Sequence, residues 1–123
     1  MNDTYNVNLV KDDTIMSHKT GTLCGMDYDD IVTILGEPNV YDDPGKVRWS
    51  WGFRVMPDKT PMAVWDWKGS GDMNRWSIYG DPKLWAKLFP MAEISWYAEN
   101  AEQRLLVSSR ELIPTIVITV ISN

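Results

Sequence analysis

From Val47 to Val55 the chain alternates without interruption. Val47, Trp49, Trp51, Phe53 and Val55 fall on one parity, and Arg48, Ser50, Gly52 and Arg54 on the other. In an extended strand, side chains two apart share a face, whereas a helix would scatter them around its circumference. The run is therefore a strand with one buried and one solvated side, the pattern of an antiparallel sheet. A second W-x-W, Trp65 and Trp67, lies within Met62–Lys68 on the parity of Ala63. Two such strands side by side would line one face with four indoles. Each indole can bury about 150–250 Å² and needs a partner for its N–H. That face is either an aromatic core roofed by helices or a platform for a planar ligand. The uniform apolar parity of 47–55 favours the core.

Two segments can supply the roof. Asp27 reads as an N-cap with Asp30 three residues on, and Tyr28, Ile31, Val32 and Leu35 follow at i, i+3, i+4 and i+7. Gly36 and Pro38 stop that helix. Asp81-Pro82 opens a second one, whose stripe of Leu84, Trp85, Leu88 and Phe89 ends at Pro90. Further strands are expected at Lys19–Cys24 and Arg75–Tyr79, with turns in 39–46, 57–61 and 69–72. Residues 91–108 admit a helix through Ile94, Tyr97, Ala101 and Leu105, or a hairpin of ISWY with LLVSS; the helix formers in ENAEQR favour the helix. The β-branched run IVITVI at 116–121 is apolar on both sides and must be covered. Residues 1–18 read as an N-terminal arm or weak edge strand. The expected architecture is one α+β domain over 19–123, a twisted antiparallel sheet of about three to five strands with helices packed on its Trp-rich face.

The totals restrict partners. A chain that is 44% hydrophobic and 24% charged is globular material. A net charge of −5 with only twelve scattered Lys and Arg argues against direct contact with duplex nucleic acid and suits a basic protein surface instead. One cysteine, Cys24, excludes an internal disulfide. The N-terminus has no signal-peptide pattern, and the longest apolar run is too short to span a bilayer, so a soluble cytoplasmic protein is expected.

Chemistry-bearing groups are sparse. Arg48, Arg54 and Lys68, with Asp66 and Ser77, lie on the polar parity. They can grip a phosphate or carboxylate, or serve as cross-strand charge pairs on a solvated face. Together with Trp65 and Trp67, the three cations form the candidate ligand-binding set. Asp66 points by parity away from the indoles that flank it. The carboxylate pairs Asp12/Asp13, Asp29/Asp30 and Asp42/Asp43 do not converge, and no His or Cys stands at ligand spacing, so no metal or cofactor is expected. His18 and Cys24 on one strand would be roughly 20 Å apart, which excludes a hydrogen-bonded dyad. GSGD at 69–72 lacks the GK[ST] and the helix of a phosphate loop. Without a set of base, nucleophile and oxyanion donor, the chain reads as non-enzymatic.

The order TGTLCG, YDDIVTILGEP, VRWSWGF, AVWDWK, WSIYG resembles a family of small, largely uncharacterised bacteriophage accessory proteins. That family carries a T-G-x-hydrophobic-x-G start, a helix ending in F-G-E-P, an E-W strand, an I-Y-N-Y-K strand and a W-H-I-G-G close. Gly21 and Gly25 match the first motif, and Tyr28, Gly36, Glu37 and Pro38 the second. Trp49 matches the third; Trp65, Trp67 and Lys68 match the fourth; Trp76, Ile78 and Gly80 match the last. Ser77 replaces the family's His and Tyr79 a Gly, and the resemblance spans roughly residues 19–80. It implies a phage protein acting in the host cytoplasm on host machinery. The leading expectation is an inhibitor that binds a basic host protein, with a nuclease-based antiviral defence such as a CRISPR effector as target class, through Asp27, Asp29, Asp30, Asp42 and Asp43. The alternatives are a binder that sequesters a nucleotide messenger, and a virion or assembly component that self-associates through 114–121.

Overall fold

The computed structural model describes residues 4–15, 18–41, 45–98, 101–106 and 115–121. In order, the chain lays down β1 (Thr4–Lys11), β2 (Gly21–Cys24), α1 (Tyr28–Leu35), β3 (Val47–Met56), β4 (Thr60–Trp67), a 3-10 turn (Ser70–Met73), β5 (Arg75–Tyr79), α2 (Pro82–Leu88), β6 (Glu93–Ala98), β7 (Ala101–Leu106) and β8 (Thr115–Ile121). The eight strands form one sheet in the order β7-β6-β2-β5-β4-β3-β1-β8. All pairings are antiparallel except β1 with β8, which is parallel, so the sheet is mixed rather than purely antiparallel and larger than its sequence suggests.

Both helices form where their caps dictate. The Asp27 side chain accepts from the Asp30 amide at 2.8 Å while Asp30 Oδ2 accepts from the Asp27 amide at 2.9 Å, a reciprocal capping box. Gly36 closes α1 with φ +81°, a conformation suited to glycine. Asp81 caps α2 through the Lys83 amide, with proline in the first turn.

Elsewhere the sequence misleads. Residues 93–106 are a hairpin, not a helix, because β6 pairs on one side with β7 along its length and on the other with β2 over 93–96, with Leu23 opposite Ile94. Long-range pairing overrides the weak helical preference. Thr4–Lys11, within the stretch expected to be an arm, is an inner strand between β3 and β8. The run expected to be covered is instead an edge strand: Ile118 and Val120 pack on the core, and Val117 and Ile121 on the other side are exposed.

The helices cover one side of the sheet only. Beneath them lie Leu9, Leu23, Trp51, Phe53, Met62, Val64, Trp76, Ile78 and Ile94, all nearly or fully buried, with Ile31, Leu35, Trp85 and Leu88 coming from the helices. Helix α2 touches both β6 and β8, which stand six places apart in the sheet. In a flat sheet those strands would be about 29 Å apart. The sheet therefore curls around the helices, giving a concave inner face that is filled and an outer face that no helix of the described residues covers. Among the described residues no helix is long and apolar enough to cross a membrane.

The four indoles of the two W-x-W strands do not share a face. Trp51 pairs with Val64 and Ser50 with Trp65, so β4 is offset by one residue from the arrangement the repeats suggest. Trp49 and Trp51 point inward and Trp65 and Trp67 outward. A β-bulge between Val47 and Ser50 also reverses parity, placing Val47 outward opposite Trp67.

Candidate functional site

Ladder partners on antiparallel strands lie on the same face, so the outer face can be read across the sheet row by row. One row runs Ser50, Trp65, Ser77, Thr22, Ser95, from β3 through β4, β5 and β2 to β6. Four small hydroxyl residues thus flank a single indole. A neighbouring row carries Gly52, Ala63 and Tyr79. On the other side Trp67 stands opposite Val47. Small residues across the middle of a sheet leave a depression, and the two tryptophans rise from its floor.

The walls come from the segments leading into and out of the strands. Asp12 donates its amide to the Gly52 carbonyl at 3.0 Å, and Asn39 bonds both polar groups of the Gly52 backbone, at 2.9 and 3.2 Å. Two segments therefore fold over the outer face at Gly52, where a Cβ would come within 2.6 Å of the Asp12 carbonyl oxygen. Glycine is required by that close approach. Ile15, Val40 and His18 complete the rim, and the His18 ring lies 5.3 Å from that of Tyr79.

The result is a cavity of about 510 Å³ bounded by Ile15, His18, Lys19, Val40, Val47, Ser50, Trp51, Gly52, Ala63, Trp65, Trp67 and Ser77. This volume falls within the range of about 300–1,000 Å³ that small-molecule sites occupy. Trp67 is 45% exposed and Trp65 is half-buried. Their N–H groups have no hydrogen-bond partner among the described residues, whereas those of buried Trp51, Trp76 and Trp85 donate to the carbonyls of Gly36, Met26 and Tyr79 at 2.8, 2.7 and 3.2 Å. Trp49 on the inner face also lacks an N–H partner among the described residues, so what sets the outer face apart is the exposure of Trp67. Lys68 Nζ lies 5.5 Å from the Trp67 ring centroid, within reach of a cation–π contact.

The other residues of the candidate ligand set are engaged elsewhere. The Asp66 carboxylate is fully buried on the inner side rather than on a solvated face. It accepts from the backbone amides of Arg48 and Trp49, both at 2.9 Å, and from Arg48 Nε at 3.2 Å. These are the amides around which β3 bulges, so the carboxylate replaces ladder partners the bulge removes. Arg48 reaches on to Asp72 at 2.9 Å and stacks 4.1 Å over Trp49. Its two carboxylate partners, Asp72 first, hold the guanidinium protonated more firmly than usual. Arg54 pairs with Asp12 at 2.9 Å. Neither arginine lines the cavity.

Asp27, Asp29 and Asp30 stand exposed around the first turn of α1, with two of the three carboxylates used in the capping box. Asp42 and Asp43 lie outside the described residues, as does residue 114 of the proposed self-association segment. Cys24 faces Arg75 and Glu93 in the ladder, and no group of three or more His, Cys, Asp or Glu able to hold a metal occurs among the described residues.

Sequence reasoning set Ser77 on the polar face beside the candidate ligand groups but missed Ser50, His18 and Lys19 as cavity residues. A signal for the serines was present: WSW, WSI and ISW each place a serine at mid-strand between large apolar residues, where a solvated strand usually carries a long polar side chain. Compared with known proteins, the chain matches no family model, no curated protein and no solved structure.

Proposed function

We propose that this protein is a non-enzymatic binder of a small planar ligand, held in the outer-face cavity between Trp65 and Trp67. One observation carries the reading. The inner face packs Trp51 and Trp76, each with its N–H satisfied, beneath helices, yet the outer face keeps two indoles over a floor of serines where no helix of the described residues covers them. Stacking a flat ring on an exposed indole is worth about 1–3 kcal/mol, and the serine hydroxyls and indole N–H groups supply donors and acceptors to orient it. The phage resemblance, taken with this site, makes sequestration of a host-cell small molecule the natural role.

Isothermal titration with a panel of planar heterocycles tests this. A ligand that binds the wild type should lose at least about tenfold in affinity with Trp65→Ala, and about as much with Trp67→Ala. Trp49→Phe on the inner face should leave it unchanged. Equal binding by all three variants would reject the cavity as the site.

A second reading keeps the inhibitor of a basic host protein. It is favoured by the net charge of −5 and by the exposed acidic turn at Asp27, Asp29 and Asp30 on the helix side, away from the cavity. The acidic turn of α1 and the cavity lie on opposite sides of the sheet. Reversing charge at Asp29, Asp42 and Asp43 should then abolish capture of a host protein, and reversing Asp29 alone should leave ligand affinity unchanged.

A further inference from the structure

The cavity does not end at Trp67. A second depression of about 190 Å³ adjoins it and shares Lys19, Trp67 and Ser77 with it. Its other walls include Thr22, Ser70 and Arg75. The ladder accounts for this arrangement: Thr22 faces Ser77 and Cys24 faces Arg75 along β2 and β5, next to the outward Trp67 of β4. The two compartments differ in chemistry. Both mix aromatic and polar lining, but only the second holds an arginine: Arg75 lines it with Lys19, Thr22, Ser70 and Ser77, alongside Trp67, Trp76 and Met73.

Charge sharpens the contrast. The chain has 17 acidic residues and a net charge of −5, yet among the described residues no carboxylate lines either compartment. Arg48 and Arg54 are held by carboxylates, whereas Arg75 is exposed and has no carboxylate partner among the described residues. An arginine with hydroxyls beside it is the donor set that tetrahedral oxyanions select, since the planar guanidinium bonds two oxygens at once. An aromatic slot contiguous with such a set accepts a ring and an anionic group carried by one molecule.

We infer that the ligand is a mononucleotide-class molecule, with its base against Trp65 and Trp67 and its phosphate in the compartment of Arg75, Ser70 and Thr22. This rests on the reading of the outer-face cavity as a small-ligand site and names the class of molecule it takes. Because the second compartment is small, a monophosphate or cyclic phosphate suits it better than a triphosphate.

The test is calorimetric titration of the full chain with the four ribonucleoside 5′-monophosphates, two cyclic mononucleotides, the parent nucleosides and inorganic phosphate. At least one nucleotide should bind about tenfold or more tightly than its nucleoside, and its affinity should fall as salt is raised. Arg75→Ala should lower that nucleotide's affinity about tenfold to a hundredfold and leave the nucleoside unchanged, while Arg75→Lys recovers part of the loss. Trp65→Ala should weaken nucleotide and nucleoside alike. If nucleotide and nucleoside bind equally, or Arg75→Ala changes nothing, the phosphate compartment is refuted while the planar-ligand site stands. If inorganic phosphate alone binds as tightly as the nucleotide, the base contributes nothing and the class assignment fails. If no nucleotide or nucleoside binds up to about millimolar concentration, the class is overturned; whether the wider panel of heterocycles binds then decides the planar-ligand reading separately.

Discussion

Asp66 shows how one side chain can fix the course of a strand. Its carboxylate is buried and collects two amides and a guanidinium N–H at the bulge in β3. Gly71 of the 3-10 turn presses against it and against Trp76, with space for no Cβ: one would sit 2.8 Å from the indole. Asp66→Ala would strand two backbone donors, costing about 2–4 kcal/mol in urea-monitored stability. Asp72→Ala removes only the exposed half of the pair and should cost under about 1 kcal/mol. Asp12 behaves differently. The Thr14 hydroxyl and amide, followed by Arg54, hold its carboxyl below the ordinary aspartate value of 3.8. A group depressed in the folded state contributes stability above its unfolded pKa and loses it as pH falls through the folded value. The stability gap between wild type and Asp12→Ala should therefore be fully present above about pH 5 and narrow as acid is added below about pH 4. A gap independent of pH would contradict this.

At the scale of elements, the sheet holds α1 by both ends. Trp76 donates to the Met26 carbonyl just before the helix, and Trp51 to the Gly36 carbonyl just after it. The Tyr28 ring lies 4.5 Å from that of Trp49, tilted by 42°, and burial followed by the neighbouring Glu37 carboxylate raises its phenol above the usual pKa. Trp76→Phe or Trp51→Phe should each cost about 1–3 kcal/mol and raise amide hydrogen exchange at the corresponding end of α1 first. Uniform loss of protection along the helix would rule out this two-point attachment. Both helices were legible because caps and stops act locally, through Asp27, Asp30, Gly36 and Asp81-Pro82. Strands β3 and β4 were legible by alternation, and β2 and β5 as short runs bounded by turn residues. The hairpin of β6 and β7 was not, since its partner β2 lies some seventy residues earlier and no local preference encodes that pairing.

For the whole molecule, the decisive information lay in register. Alternation identified the W-x-W strands correctly, but their relative offset is set by the turn that joins them, after which Val55 faces Thr60 and Trp51 faces Val64, and no spacing within either strand encodes that register. A one-residue offset moves Trp65 and Trp67 from the core to the outer face. That separates aromatic residues that hold the fold together from aromatic residues free to meet a ligand. Trp65, Trp67 and Lys68 were named from sequence and do gather at the cavity or its edge; Arg48 and Arg54 were drawn away by carboxylates that no spacing rule connects to them.

The seven indole N–H resonances of an isotope-labelled sample report on this division of labour most directly. On titration with a ligand found by calorimetry, those of Trp65 and Trp67 should shift progressively to saturation, while those of Trp51, Trp76 and Trp85 stay fixed at their carbonyl partners. Movement of the inner three with the outer two silent would contradict the account.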